Sequence, residues 1–394
     1  MDRRTLLRLG GTAALGFGLD ACAPKAAPKV AAQAPAAAGP RRPPVVLPRV
    51  NASWDRIIRA TVGLRPHRPS GFLLKAARLD AKTIVHNFGH GGSGMSLSWG
   101  TASMAVDMAM EQPERRAAVL GCGVVGLTSA RELQRRGFEV TIYAEKLPPD
   151  VTSNMSLAGF TPTSGLVDFK LRTPAWDEQF RQAVQIAYRR LQLLVGPKYG
   201  ITWIHNYSPT ETPEAAGGTN VLLPDNVQGS RVLLQPGEHP FTSTYAIERP
   251  EMRIEPSIYL DALVTDFLLF GGKIVVRKFE SPRDVVALAE PVVVNCTGLG
   301  AKALFDDPEL VPLKGQLIVL VPQPEVQYGT NGGVRSSSAE PGIGIHMMPR
   351  SDGIILGGTS ERDVWTLDIN EKERARVVDG HIELFKSMKS PSTT

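Results

Sequence analysis

Two glycine-rich stretches have the spacing to do chemistry. Gly121-Cys122-Gly123-Val124-Val125-Gly126 follows a short apolar strand, Ala117–Leu120, and opens an amphipathic helix running toward Arg136. In this G-x-G-x-x-G arrangement Gly121 permits a tight turn and Gly123 lets the backbone approach a pyrophosphate. Gly126 lets helix and strand pack closely, and the helix N-terminus stabilises phosphate charge. A second strand, Phe138–Tyr143, ends at Ala144-Glu145. Glu145 comes 19 residues after Gly126, where a dinucleotide fold sets an acid on a ribose hydroxyl. The other stretch, His86–Gly100, reads HNFGHGGSGMSLSWG, with five glycines between Gly89 and Gly100. Bounded by apolar strand-like residues, it reads as an ordered binding turn, because glycine alone allows such close backbone approach. The loop at Gly121 by itself leaves NAD and FAD open. Pro291–Gly300, PVVVNCTGLG, is a buried strand ending in a turn at Thr297-Gly298.

The elements that must position these residues fit a chain of 394 residues, enough for one large or two medium domains. The formal charge of +5 is misleading as a hint of nucleic acid. Residues 1–50 hold eight Lys/Arg and two acids, which leaves 36 bases against 37 acids for residues 51–394. The body is near neutral and has no field to draw a polyanion, so no nucleic acid partner is expected. Three cysteines make no disulfide framework, and no metal-ligand spacing occurs. His86 and His90 are four apart but embedded in glycines, where no helix would align their rings. Residues 1–22 read as an export signal: a charged start with paired Arg3-Arg4, then an apolar stretch from Leu9 to Leu19 too short to anchor in a bilayer. It resembles a twin-arginine signal, and Leu19-Asp20-Ala21-Cys22 resembles a lipoprotein site, so membrane attachment through Cys22 is the only membrane contact expected. Residues 23–48, nearly all Ala, Pro and basic, are expected to be a disordered tether.

Several segments together resemble the D-amino acid oxidase and D-aspartate oxidase family. His86–Gly100 is similar to the segment by which these enzymes hold the flavin ring, and Val62–Gly71, VGLRPHRPSG, to the R-P-x-R-P segment before it. Ala117–Gly126 and Ala144–Gly159 resemble their first flavin-binding strand, loop and following stretch. Val292–Gly315 resembles their N-C-T-G and G-Q elements, and Gly344–Thr359, GIHMMPRSDGIILGGT, their active-site strands. The resemblance implies an α/β fold: a Rossmann-like FAD-binding domain over 82–165 and 250–312, interleaved with a mixed-sheet substrate domain over 49–81, 166–249 and 313–394. The order differs from the family's, whose chain closes with the segments that open this one. This implies a circular permutation, with the old termini fused near Glu111–Arg116. The chain then ends with an expected helix over Glu371–Met388, and the segment near Thr394 is expected to lie close to Val50–Trp54.

The implied cofactor is FAD and the implied reaction is oxidative deamination of D-amino acids by molecular oxygen, giving 2-oxo acids, ammonia and hydrogen peroxide. Two alternatives are a dehydrogenase of a related amine or imino acid and a non-catalytic FAD-binding exported protein. By resemblance Arg65 binds the substrate carboxylate, as a planar guanidinium can through two parallel hydrogen bonds. The carbonyl of Gly92 is the implied acceptor for the substrate amine. Gly91, Gly92, Ser93, Gly94, Met95 and Ser96 are implied against the flavin ring. Gly121, Gly123, Val124, Val125 and Gly126 are implied at the pyrophosphate. Ala144, Glu145 and Lys146 belong to the ribose and adenine region, Thr152, Ser153 and Asn154 to the phosphates and ring, Phe279 to the adenine, and Thr297 and Gly298 to the closing turn. Where the family carries two tyrosines, this sequence has Gly342 and His346. His346 is a candidate donor to the carboxylate.

Overall fold

The computed structural model describes residues 42–157, 159–213, 220–332 and 344–389. Arg3, Arg4, Cys22 and Gly342 lie outside the described residues. Pro43–Thr394 forms one compact unit and Met1–Arg42 a separate one.

The unit is built on two sheets. In chain order the strands are β1 (Ile57–His67), β2 (Leu73–Leu79), β3 (Lys82–Phe88), β4 (Arg116–Leu120), β5 (Glu139–Ala144), β6 (Ile201–Thr210), β7 (Val232–Leu234), β8 (Tyr245–Ile254), β9 (Lys273–Val276), β10 (Val292–Asn295), β11 (Val311–Leu320), β12 (Tyr328–Asn331), β13 (His346–Arg350), β14 (Gly353–Gly357) and β15 (Glu361–Arg362). The helices are α1 (Gly94–Met110), α2 (Val124–Arg135), α3 (Pro174–Gln192), α4 (Asp225–Gln228), α5 (Pro256–Leu269), α6 (Pro282–Val286), α7 (Ala301–Leu304) and α8 (Glu371–Lys386).

The six-stranded sheet runs β2-β3-β10-β4-β5-β9, and β3 to β9 are parallel. Its central strands are apolar throughout, as strands covered on both faces must be: Ala117–Leu120 and Val292–Val294 are fully buried. Leu127, Ala130 and Leu133 on α2 pack one face in a cluster shared with α1, α3 and α5. The nine-stranded sheet runs β1-β11-β14-β13-β12-β6-β8-β7, with β15 paired to β11. α8 covers part of it through Val377, Val378 and Phe385, in one cluster with Ile318, Met347 and Leu356.

The domain boundaries expected from sequence shift in three places. β2 pairs with β3, so Leu73–Leu79 belongs to the nucleotide sheet and not to the substrate part. β8 pairs with β6 along its whole length, so a border at 250 cuts a strand of the substrate sheet. α3 packs against α1 in the nucleotide half. The tether expectation also needs correction at its end: the Val45 N–H donates to Glu238 O at 2.9 Å, and Pro48 O accepts from Tyr328 Oη at 2.9 Å. Val45 and Leu47 pack on the core under the larger sheet, apolar burial that composition alone does not reveal.

Candidate active site

Between the carboxyl ends of the parallel strands and one face of the larger sheet lies a cavity of about 1220 Å³. Gly121–Val125 and Gly91, Gly92, Gly94 and Met95 line it together. The two glycine stretches, adjacent in space, therefore share one site. Open parallel sheets place ligands at this end of their strands.

The geometry at the first stretch explains its glycines. Gly121 has φ +104°, and a Cβ there would sit 2.5 Å from Cys296 O. A Cβ on Gly126 would sit 2.0 Å from Gly121 O, so this glycine serves helix–strand packing and does not line the cavity. The Val124 N–H, at the start of α2, donates to Ser153 Oγ at 3.0 Å. Cys122 and Cys296 are buried, and desolvation pushes both thiols up to about 12, so neither acts as a nucleophile.

The second stretch is built differently from the expected turn. Gly91–Ser93 makes one 3-10 turn and α1 begins directly at Gly94. A Cβ on Gly91 would lie 1.8 Å from Gly165 O, and one on Gly92 2.7 Å from Ser164 O. These glycines are demanded by the Thr161–Gly165 loop pressed against them. Ser93 Oγ donates to Thr161 O at 3.1 Å and Ser164 O at 3.0 Å, while Ser96 Oγ accepts from the Thr161 N–H at 2.8 Å. Ser93 and Ser96 thus clamp that loop and are not among the cavity-lining residues. Two helix N-termini, of α1 and α2, now face the cavity, and each favours negative charge.

At one end Ala144, Glu145, Lys146, Arg277 and Phe279 line the cavity, with the Arg277 guanidinium 4.8 Å from the centre of the Phe279 ring. Thr152 and Ser153 line its middle. Asn154 turns away, and its Oδ1 is buried without a hydrogen-bond partner among the described residues. Thr297 and Gly298 line the opposite wall; Thr297 Oγ1 donates to Asn295 Oδ1 at 2.7 Å. Asn295 Nδ2 meets His86 Nδ1 at 3.1 Å, so His86 ties β10 to β3. His90 is buried, stacks on Phe72 and meets Thr101 Oγ1 at 3.0 Å; burial pushes it down to about 3.

At the far end, β1 and β13 bring Arg65 and His346 to the same cavity. The Arg65 guanidinium lies over Gly315, where a Cβ would come within 3.4 Å of Cζ. It donates to Leu313 O at 3.0 Å, Thr359 O at 3.3 Å and Ser360 Oγ at 3.1 Å, which fixes its plane. His346 Nε2 fits only because residue 357 is glycine: a Cβ there would lie 2.5 Å away. Its ring is deep enough that desolvation, followed by the charges of His381, Arg65 and Arg376, pushes it down to about 3. Cavity residues with no motif to announce them include Trp203, Asn206, Arg249 and Glu251, because each is one side chain on a strand paired far along the chain. Among the described residues no group of His, Cys, Asp and Glu is placed to hold a metal ion.

The chain's residues fit FAD: both glycine stretches line one cavity, and the tight turn at Gly121 leads directly into the N-terminus of α2. Residues 116–393 match the DAO family of FAD dependent oxidoreductases. The chain is similar to the D-amino-acid oxidase of Rubrobacter xylanophilus, 30% identical over 260 residues that cover 64% of this chain and 72% of that protein. It is also similar to the D-amino-acid oxidase of Streptomyces coelicolor, 29% identical over 278 residues, 68% of this chain and 77% of that one. Among solved structures, L-proline dehydrogenase from P. horikoshii superposes with a TM-score of 0.51 at 16% identity, covering 70% of this chain and 78% of that one. Glycine oxidase from Geobacillus kaustophilus gives 0.50 at 17%, covering 71% and 81%. At such identities the structural likeness is one of fold. The chain belongs to the DAO family and is an FAD-dependent oxidoreductase.

Proposed function

We propose that the protein carries out oxidative deamination of D-amino acids, with molecular oxygen as the final acceptor. The observation that carries this reading is the convergence of Arg65 and a neutral His346 on the cavity shared by the two glycine stretches. Arg65, oriented by its hydrogen bonds to Leu313 O, Thr359 O and Ser360 Oγ, brings a guanidinium charge to the substrate carboxylate. His346, uncharged at neutral pH, donates one ring N–H to that carboxylate. The carbonyl of Gly92 accepts from the substrate amine. FAD, when bound, supplies the hydride acceptor. Gly121, Gly123, Val124 and Val125 with the α2 N-terminus hold the pyrophosphate. Glu145 and Lys146 hold the ribose, Phe279 the adenine, and Gly91, Gly92, Gly94 and Met95 the ring. Thr152, Ser153, Thr297 and Gly298 close over the cofactor. The test is the visible spectrum of the FAD-loaded protein under anaerobic D- and L-amino acids. Bleaching by D enantiomers, with peroxide formed once air is admitted, is expected. A spectrum unmoved by every D-amino acid overturns the reading, and bleaching without peroxide points to a dehydrogenase.

Two further parts of this reading concern the chain's organisation. We infer a circular permutation relative to the family. In support, the family match starts at residue 116, and Trp54 Nε1 donates to Asp379 Oδ1 of α8 at 2.9 Å. We also infer export through the Arg3-Arg4 leader, with Cys22 as a lipid attachment point. Replacing both arginines by lysine is expected to hold the protein in the cytoplasm, and Cys22→Ala to release it from membranes.

A further inference from the structure

Beyond Arg65 and His346, the cavity extends along β6 and β8, and its floor there carries three polar side chains that each keep an unpaired atom. Asn206 on β6 pairs in register with Arg249 on β8, and Ile204 with Glu251, so all four share one face of the sheet. Asn206, Arg249 and Glu251 line the cavity. Asn206 is 3% exposed and Glu251 8%. Asn206 Oδ1, Arg249 Nε and Glu251 Oε2 are buried without hydrogen-bond partners among the described residues. Arg249 Nη2 stands 3.8 Å from Glu251 Oε2, near enough to balance charge and too far to hydrogen-bond. Burial pushes the Glu251 carboxyl up, and Arg249 and the Asn206 amide draw it back. A buried polar atom left unpaired is destabilising, so three around one cavity describe a ligand group.

Resting on the reading of the site as one for amino acids, we propose that Asn206, Arg249 and Glu251 form a subsite for the side-chain carboxamide of the substrate. The three unpaired atoms offer one donor and two acceptors. A primary carboxamide offers the complement: its carbonyl accepts from Arg249, and its amino group donates to Glu251 and Asn206. A carboxylate side chain is drawn to Arg249 and repelled by Glu251. An ammonium meets the opposite pair of forces. A neutral group with both functions meets neither penalty. The span is also suitable. β13 and β6 are separated by β12 alone, so the strands bearing His346 and Asn206 lie about 10 Å apart. That distance accommodates a carboxylate, two or three methylenes and a carboxamide with their hydrogen bonds.

The experiment uses three carboxylates that lack an α-amine and so are not oxidised: glutaramate, glutarate and 5-aminopentanoate. Each is titrated into the FAD-loaded protein while the visible spectrum and Tm are followed. Glutaramate is expected to bind about tenfold or more tighter than either of the others. Glu251→Gln, which removes the charge that opposes glutarate, is expected to cut the glutaramate-over-glutarate preference by about tenfold. Equal binding within about threefold, tighter binding of either charged ligand, or an unchanged preference in E251Q overturns the subsite. If E251Q does not fold, the order of the three ligands on the native protein decides. D-Asparagine and D-glutamine are then added anaerobically. The expected ligand order with no bleaching by any D-amino acid supports the subsite and overturns the proposed reaction instead.

Discussion

The Arg65 guanidinium is oriented by hydrogen bonds to Leu313 O, Thr359 O and Ser360 Oγ, and its loss has a defined signature. Arg65→Met is expected to lower kcat/KM for D-amino acids by roughly 100-fold or more, because charge-assisted hydrogen bonds to the carboxylate disappear. The FAD spectrum should persist, since the side chain stands at the substrate end; steady-state kinetics beside an absorbance scan checks both. The buried histidines predict a pH dependence. His90 and His346 have folded values near 3, well below the ordinary 6.5. As pH falls through 6.5 the unfolded chain takes up protons that the folded chain refuses, so stability is full above that range and declines toward pH 3. Tm should therefore fall steadily on acidification from pH 7, and the slope should be shallower in His90→Gln. The glycines at 121, 123 and 126 and the candidate Arg65 were legible in the sequence because their spacing is local or their motif is short. The loop-clamping hydrogen bonds of Ser93 and Ser96 are not legible there, since their partners between Thr161 and Ser164 lie 65 to 71 residues away. Asn206, Arg249 and Glu251 carried no signal, being alternate residues on strands whose pairing the sequence does not display.

At the scale of elements, α2 and α1 do most of the positioning. Leu127 is fully buried on α2, and Leu127→Ala is expected to cost about 2–5 kcal/mol, read by chemical denaturation. Gly126→Ala drives a Cβ to 2.0 Å from Gly121 O, so it should prise helix from strand and yield protein with little bound FAD. The strand–turn–helix–strand unit from β4 to β5 was readable, because a parallel sheet demands continuous apolar runs and the turn demands glycine. The start of α1 was not. Gly94, Ser96 and Ser98 are poor helix formers, yet Ser93, Ser96 and Ser98 are buried, and tertiary packing against α2 and α3 overrides propensity. β2 is ambiguous for a related reason: with Lys75, Ala76 and Arg78 exposed it has no clean alternation, and such an edge strand suits either sheet.

For the whole molecule, the contact of α8 with the segment before β1 sets a test of chain order. A rearranged chain that carries 49–115 after a short linker beyond residue 389 is expected to fold and to bind FAD with the native spectrum; a colourless or insoluble product would count against the inferred permutation. The segment Pro43–Ala52 is part of the same region, and its removal should lower Tm, because it buries Val50 fully against the larger sheet's core. The interleaving of two sheets was legible only through resemblance, since no local pattern says that β1 pairs with β11 across some 250 residues. The position of β10 has a consequence for biosynthesis. It lies between β3 and β4 and pairs with both, though the ribosome makes it roughly 170 residues after β4. Until Asn295 has emerged, the nascent polypeptide holds two unjoined half-sheets with a gap through the middle of the cofactor cradle. Loading must then wait until Asn295 has emerged, and stalled chains ending before Pro291 are expected to capture no FAD.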